Sequence, residues 1–134
     1  QVLIQRFGPE RVRWYQPWGS LLERNVPVAV SSDAPVQSPE PGRNLKAIVT
    51  SRAEHDGDLT MQPEERIALD EALVAYTRNG AWASNEERVK GCLQPGMLGD
   101  VAVFNTDLFA LDPLALDTAE IDLTVVDGVV AYRR

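Results

Sequence analysis

The segment that most constrains the fold of this chain is a short apolar run that ends in an acidic residue. Residues 26–30 are almost entirely apolar β-formers, and two serines and Asp33 follow before Pro35. A nearly continuous apolar run is typical of a strand that is buried on both faces of a parallel sheet. The pattern therefore predicts a strand at about residues 26–33. Asp33 lies at its carboxyl end, where α/β proteins keep their chemistry.

Size and charge limit the functions that remain open. The 134 residues are enough for one domain with a buried core. A net charge of −7 without a basic block argues against nucleic acid or an anionic membrane as a partner. No apolar run approaches the roughly 20 residues that span a bilayer, and a single cysteine, Cys92, excludes a disulfide framework. We expect a cytoplasmic protein with no nucleic-acid or membrane partner.

The character of the sequence changes near residue 88. Apolar residues recur at helical spacing before that point, most clearly at residues 69–79, whereas glycine and proline punctuate the chain after it. The sequence predicts an α/β part at residues 1–88 and a β-rich part at residues 89–134. As an isolated chain it should therefore combine helices with antiparallel strands.

Two local signals refine this division. Residues 101–104 are apolar β-formers, and Asp127-Gly128 separates two further β-like runs, which predicts a hairpin with a two-residue turn. Ala68 stands where the helix at residues 69–79 would be expected to have a serine or threonine cap. That helix end should therefore be weakly fixed.

Asp33 is the strongest candidate for a catalytic residue. The local sequence alone leaves two interpretations of its role open. A carboxylate at the end of a strand can bind a cation or accept a proton from water that a cation activates. The alternative is that Asp33 caps the turn after the strand by accepting hydrogen bonds from nearby backbone N–H groups.

The other polar and aromatic residues are weaker candidates for a functional site than Asp33. His55 lies in a polar loop with alternating acidic residues that lack the spacing of a metal or calcium site. Cys92 is interpreted as a small buried hydrophobe. The tryptophans are expected to pack in the core, with substrate lining as an alternative for one, Trp18. The acidic residues near His55 are Glu54, Asp56 and Asp58, and the other two tryptophans are Trp14 and Trp82.

Four segments, in order, resemble the amidohydrolase superfamily, and within it amidohydrolase family 3, which includes N-substituted formamide deformylase-like enzymes. VPVAVSSDAPV at residues 26–36 resembles the last barrel strand, and ALVAYTRNGA at residues 72–81 resembles the helix after it. KGCLQPGMLGDVAVF at residues 90–104 is similar to the family's KGSLEPGKLADLVVLD, and VVDGVVAY at residues 125–132 to its final hairpin. Cys92, Met97 and Gly99 depart from the family's common serine, lysine and alanine.

The resemblance implies a (β/α)-barrel metal hydrolase, a TIM barrel, with a small composite β-sandwich. This chain would supply the last barrel strand, barrel helices and part of the sandwich, and the histidine ligands would lie upstream. On this reading Asp33 is both metal ligand and general base. The resemblance implies that Asp33 binds a divalent metal, which we expect to be zinc. The implied reaction is the hydrolysis of non-peptide C–N bonds in a small amide-like substrate.

The isolated chain is expected to behave differently from such a parent enzyme. One loop histidine and one strand-end aspartate cannot hold a metal tightly, since zinc sites use four ligands. The alternative function is therefore a non-catalytic domain that associates with itself through apolar faces.

Overall fold

Short helices in the first two thirds of the chain and a small sheet in the last third make up the structure. The computed structural model describes residues 2–52 and 62–134. Within these residues the α-helices are α1 (Val2–Phe7), α2 (Pro9–Val12), α3 (Trp18–Leu22), α4 (Pro41–Thr50), α5 (Leu69–Tyr76) and α6 (Arg78–Ala83). The strands are β1 (Val101–Phe104), β2 (Ile121–Val126) and β3 (Val129–Arg133). Short 3₁₀ segments cover Pro63–Glu65, Leu108–Ala110 and Pro113–Thr118. The predicted mixture of α and β structure is confirmed.

The sheet agrees closely with the pattern of the sequence. Its strands are antiparallel in the order β1-β2-β3, and Val126 pairs with Val129 across the hairpin turn. Asp127 (φ 50°) and Gly128 (φ 75°) both have positive φ angles. Positive φ at both turn positions is the geometry of a type I′ turn, which matches the right-handed twist of the flanking strands. The hairpin prediction is therefore confirmed.

The long helix predicted at residues 69–79 is two helices. α5 ends at Tyr76, and Thr77 (φ −118°, ψ −84°) separates it from α6. The Thr77 hydroxyl donates to the Leu73 carbonyl oxygen at 2.7 Å. A threonine side chain that bonds back to its own helix competes with the regular backbone pattern and can bend the helix. Apolar spacing cannot reveal such a break, because the spacing continues across it.

The amino-terminal end of α5 is better fixed than Ala68 suggested. The Glu71 carboxylate accepts a hydrogen bond from the Ala68 N–H at 2.8 Å. This is one half of a capping box, in which the third helical residue bonds back to the cap. The other half needs a side-chain acceptor at position 68, which alanine does not have.

One hydrophobic core joins residues from both sides of position 88. Its buried members before that point come from α4, α5 and the segment between them, and those after it come from residues 108–119. They are Leu45, Ile48, Ile67, Ala72, Leu108, Leu116 and Ala119. Helix α4 lies directly on the Pro113–Thr118 segment. The boundary between residues 88 and 89 stays a prediction, since a shared core does not place it.

The structure assigns no strand at about residues 26–33, where the sequence predicts one, and a barrel strand at these residues stays a prediction. The segment is extended, but the described residues offer it no neighbouring strand. Val28 is buried, Val30 and Ser32 are half-buried, and Ala29 and Ser31 are exposed. One side of the segment therefore packs on the protein and the other is open. A strand needs a partner for its backbone groups, and an apolar run does not supply one.

Candidate functional site around Asp33

Asp33 begins a turn that follows the extended segment. Its φ angle is 52°, a left-handed conformation that aspartate tolerates better than most residues. The Asp33 carbonyl oxygen accepts a hydrogen bond from the Val36 N–H at 2.8 Å, which closes the turn over residues 33–36. The backbone therefore makes the turn, and the side chain remains exposed.

The Asp33 carboxylate makes no hydrogen bond or ion pair with any residue in the described ranges. The capping interpretation required its oxygens to accept bonds from nearby backbone N–H groups, and among these residues no such bond forms. An exposed carboxylate with free oxygens can bind a cation or accept a proton without first losing a protein partner.

Two hydrogen bonds tie the extended segment to the helix pair α5–α6. The Asn79 side-chain amide donates to the Val28 carbonyl oxygen at 2.9 Å. The Val30 N–H donates to the Ala75 carbonyl oxygen at 3.2 Å. Backbone groups that would go to a neighbouring strand in a sheet are thus satisfied by the helices. Asn79 was missed by sequence reasoning because it stands on a helix, 46 positions after Asp33.

Tyr76 adds a third tie close to Asp33. Burial raises the pKa of the Tyr76 phenol, and interactions with the side chains of Ser32 and Asn44 partly lower it. Ser32 immediately precedes Asp33 in the chain. The phenol of Tyr76, the last residue of α5, therefore lies near the side chain of Ser32.

A cleft of about 330 Å³ opens beside this segment. Val30 and Ser31, which precede the Asp33 turn, and Gln37 and Ser38, which follow it, line the cleft, whereas Asp33 itself does not. Trp18 also lines the cleft, which is the position that the substrate-lining alternative required of it.

A buried carboxylate forms part of the cleft wall. The two carboxylate oxygens of Glu65 accept hydrogen bonds from Ser20, one from its N–H at 2.8 Å and one from its hydroxyl at 2.6 Å. Glu65 is only 7% exposed, and a buried charge is tolerated when its oxygens are satisfied in this way. Local sequence does not reveal this pair, because Pro63-Glu64-Glu65 has the pattern of an ordinary helix start.

The remaining sequence candidates do not join Asp33. His55, Glu54, Asp56 and Asp58 lie outside the described residues. The expectation of core packing is wrong for Trp14, which is 64% exposed, and for Trp82, which is 50% exposed. Trp14 lies on an outer loop, where Arg13 stacks over its ring at 5.2 Å. Cys92 is half-buried rather than buried, because it lies in the loop between α6 and the sheet.

Asp33 fits a metal site as one ligand and no more. Within residues 2–52 and 62–134, no three histidine, cysteine, aspartate or glutamate side chains lie together in a group that could hold a metal. Zinc in proteins takes four ligands, of which a carboxylate is a common one. These residues can therefore supply one ligand of such a site.

No helix within residues 2–52 and 62–134 is long and apolar enough to cross a membrane.

Comparison with known proteins gives matches that each cover most of the chain. A sequence profile of the amidohydrolase family matches residues 1–132. A protein of Bacillus subtilis (strain 168) that carries the name of an amidohydrolase, YtcJ, is 29% identical over 98% of this chain and 25% of its own length. The N-substituted formamide deformylase of Arthrobacter pascens is 30% identical over 88% of this chain and 21% of its own length. This chain thus spans about a quarter or less of these relatives.

Two further matches come from a plant and from a solved structure. Protein LONG AFTER FAR-RED 3 of Arabidopsis thaliana is 32% identical over 97% of this chain and 22% of its own length. The amidohydrolase from Thermotoga maritima MSB8 aligns with a TM-score of 0.47 and 17% identity, over 95% of this chain and 36% of that one.

Proposed function

Because this chain belongs to the amidohydrolase family, we propose that it is the carboxyl-terminal quarter of a metal-dependent hydrolase of non-peptide C–N bonds. The observation that carries the proposal is the family match over residues 1–132, which leaves almost no part of the chain outside it. The similarity to an N-substituted formamide deformylase favours a small amide-like substrate. In this proposal residues 26–33 form the last strand of a (β/α)-barrel once neighbouring strands are present.

The proposed architecture divides the chain at the boundary expected from its sequence. Residues 1–88 would complete the barrel, and residues 89–134 would form part of a composite β-sandwich. The open side of the 28–32 segment supports this assignment, because a strand inside a barrel needs a second covered face. The exposed apolar residues of the sheet support it as well, since Val129 is 69% exposed and Val130 50%. A sandwich would cover them with a second sheet.

Asp33 is the residue through which this part of the chain would take part in catalysis. It would contribute one carboxylate to the metal and accept the proton that the attacking water loses. When bound, the metal supplies a lowered pKa for water and polarisation of the substrate carbonyl. The other ligands would come from upstream residues, so the 134-residue chain alone should be inactive.

Substitution of Asp33 in the longer protein tests this role. We expect Asp33→Asn to remove hydrolysis of N-substituted formamides and to lower bound zinc, because the amide cannot accept the proton and is a poorer ligand than a carboxylate. The measurements are product release and metal content per protein molecule. Asp112→Asn is the matched control, since the Asp112 side chain only accepts from the Leu114 N–H at 2.8 Å and asparagine can do the same.

Two results would count against the proposal. One is a longer protein in which Asp33→Asn hydrolyses and binds zinc as the parent does. The other is an upstream reading frame without a His-x-His after a strand, because the proposal places the remaining ligands there.

A non-catalytic, self-associating domain is the second candidate. Every residue of β3 is exposed, and exposed apolar faces of this kind promote association. Metal content distinguishes the candidates, because a structural domain would bind no stoichiometric zinc in the longer protein either.

A further inference from the structure

The charged residues that line the cleft already have partners in the protein. Arg43 forms an ion pair with Glu40, and both carboxylate oxygens of Glu65 accept hydrogen bonds from Ser20. Arg52, which also lines the cleft, interacts with another group of the protein as well. A charged ligand would have to compete with these partners, whereas a neutral ligand would not. The electrostatics of the cleft therefore favour a neutral ligand.

Apolar side chains form another part of the same cleft. Those outside the proposed barrel strand are Leu3, Tyr15, Trp18, Ala47 and Ile48, which we call the apolar wall. Pairing of residues 26–33 with neighbouring strands would use the backbone of that segment and no group of the apolar wall. A cavity of roughly 150 Å³ holds a benzene ring. The cleft, at about 330 Å³, therefore has room for a small apolar group.

The cleft lies close to Asp33 without including it. Ser31 lines the cleft, and its Cα atom is at most about 7 Å from that of Asp33, because two residues of backbone span no more. Gln37 and Ser38, which also line it, follow the carboxyl end of the proposed strand, where the loops of barrel enzymes build their sites. Under the proposed function, the reacting carbonyl would lie at Asp33. The cleft therefore suits a part of the substrate that does not react.

We propose that the cleft binds the N-substituent of the amide substrate, that this substituent is neutral and apolar, and that Trp18 is a specificity-determining residue for it. The inference rests on the proposed function, because it needs an amide that reacts at Asp33. A formamide carries only hydrogen on its carbonyl carbon, so its N-substituent is the only part large enough to fill the cleft. Trp18 has the largest side chain of the apolar wall, and it packs against the hydrophobic core. The core therefore holds the ring in place at the cleft.

Formamides with different substituents test the inference in the longer protein. N-butylformamide extends N-methylformamide by an apolar propyl chain, whereas N-formylglycine carries a carboxylate on its substituent. Burial of the propyl chain should raise kcat/KM for N-butylformamide about 10–100-fold above that for N-methylformamide, because each CH₂ group removed from water strengthens binding. N-formylglycine should react no faster than N-methylformamide, because the charged residues of the cleft already have partners.

Substitution of Trp18 should reduce the preference for the longer substituent. Trp18→Ala should lower kcat/KM for N-butylformamide about tenfold and that for N-methylformamide by less than about twofold, since the methyl group makes little contact with the apolar wall. Trp82→Ala is the matched control and should change neither value, because Trp82 is 50% exposed and does not line the cleft. A merely structural role of Trp18 would lower the unfolding temperature and both values together, without a change in their ratio.

A second variant narrows the cleft instead of widening it. Ala47 lines the cleft from α4, and Ala47→Leu adds apolar volume there while keeping a residue that favours a helix. It should lower kcat/KM for N-butylformamide relative to N-methylformamide. If Trp18→Ala does not purify folded, this ratio in Ala47→Leu decides.

The contrary outcomes separate this inference from the proposed function. If Asp33→Asn abolishes hydrolysis but the two alkylformamides react equally well, or their ratio is unchanged in the deciding variant, the inference is overturned and the proposed function stands. A preference for N-formylglycine would also overturn the inference alone, because Arg43 and Arg52 would then bind an anion. If the longer protein hydrolyses none of these formamides, or Asp33→Asn hydrolyses them as the parent does, both are overturned.

Discussion

At the scale of single residues, Gly42 shows how closely the two parts of the chain approach each other. A Cβ atom at this position would lie 2.5 Å from the Leu116 carbonyl oxygen and 2.9 Å from that of Ala119. Both atoms belong to the backbone, which cannot move aside as a flexible side chain can. Only glycine therefore allows α4 to lie this close to the segment after Pro113, and the common core depends on that approach.

This closeness gives a prediction with a control in the same protein. Gly42→Ala should destabilise the fold by about 1–3 kcal/mol, the usual cost of overpacking. Gly80→Ala should instead stabilise it by about 0.5–1 kcal/mol, because Gly80 lies in α6 with open space around it and alanine favours a helix. Urea unfolding at constant pH measures both changes. Equal shifts for the two variants would contradict the assigned packing of α4.

At the same scale, the candidate site shows which residues can be found from their neighbours in sequence and which cannot. Ser-Ser-Asp-Ala-Pro after an apolar run was enough to single out Asp33, because residue type and order carry that signal. Glu65 and Asn79 could not be found this way. Their hydrogen bonds, with Ser20 and Val28, span 45 and 51 positions in the sequence, and no local pattern marks them.

At the scale of elements, turns with a strong residue preference were predicted well and elements that need a partner were not. The hairpin around Asp127-Gly128 was predictable because few residues other than aspartate, asparagine and glycine adopt positive φ at both turn positions. The strand at residues 26–33 was not, because pairing depends on chain that lies elsewhere. The break at Thr77 also escaped, since its cause is a single side-chain hydrogen bond.

The incomplete capping box of α5 gives the prediction at this scale. Ala68→Ser should add a side-chain acceptor for the N–H groups of the first turn and stabilise the protein by about 1 kcal/mol. Ala68 already has the extended backbone that a cap requires, with φ −68° and ψ 160°. Ala83→Ser, at the exposed last position of α6, introduces the same change without a cap and should gain nothing. Thermal unfolding compares them, and no gain in Ala68→Ser would argue against this reading of the helix start.

At the scale of the whole molecule, the core and the candidate site differ in how many residues they bring together. The core joins α4, α5 and the segment between them to residues 108–119. Asp33 by contrast belongs to no group of three or more possible metal-binding side chains among the described residues. The proposed function accounts for this difference, because the relatives are about four times the length of this chain or more. The sequence predicted the family correctly, whereas the metal-binding role of Asp33 stays a prediction.

The most direct measurement is the zinc content of two purified proteins, the 134-residue chain and the longer protein that continues upstream of Gln1. If Asp33 is one ligand of a site completed by upstream residues, the longer protein should hold stoichiometric zinc and the short chain only traces, because a single carboxylate does not retain zinc. Stoichiometric zinc in the short chain, or none in the longer protein, would contradict this account.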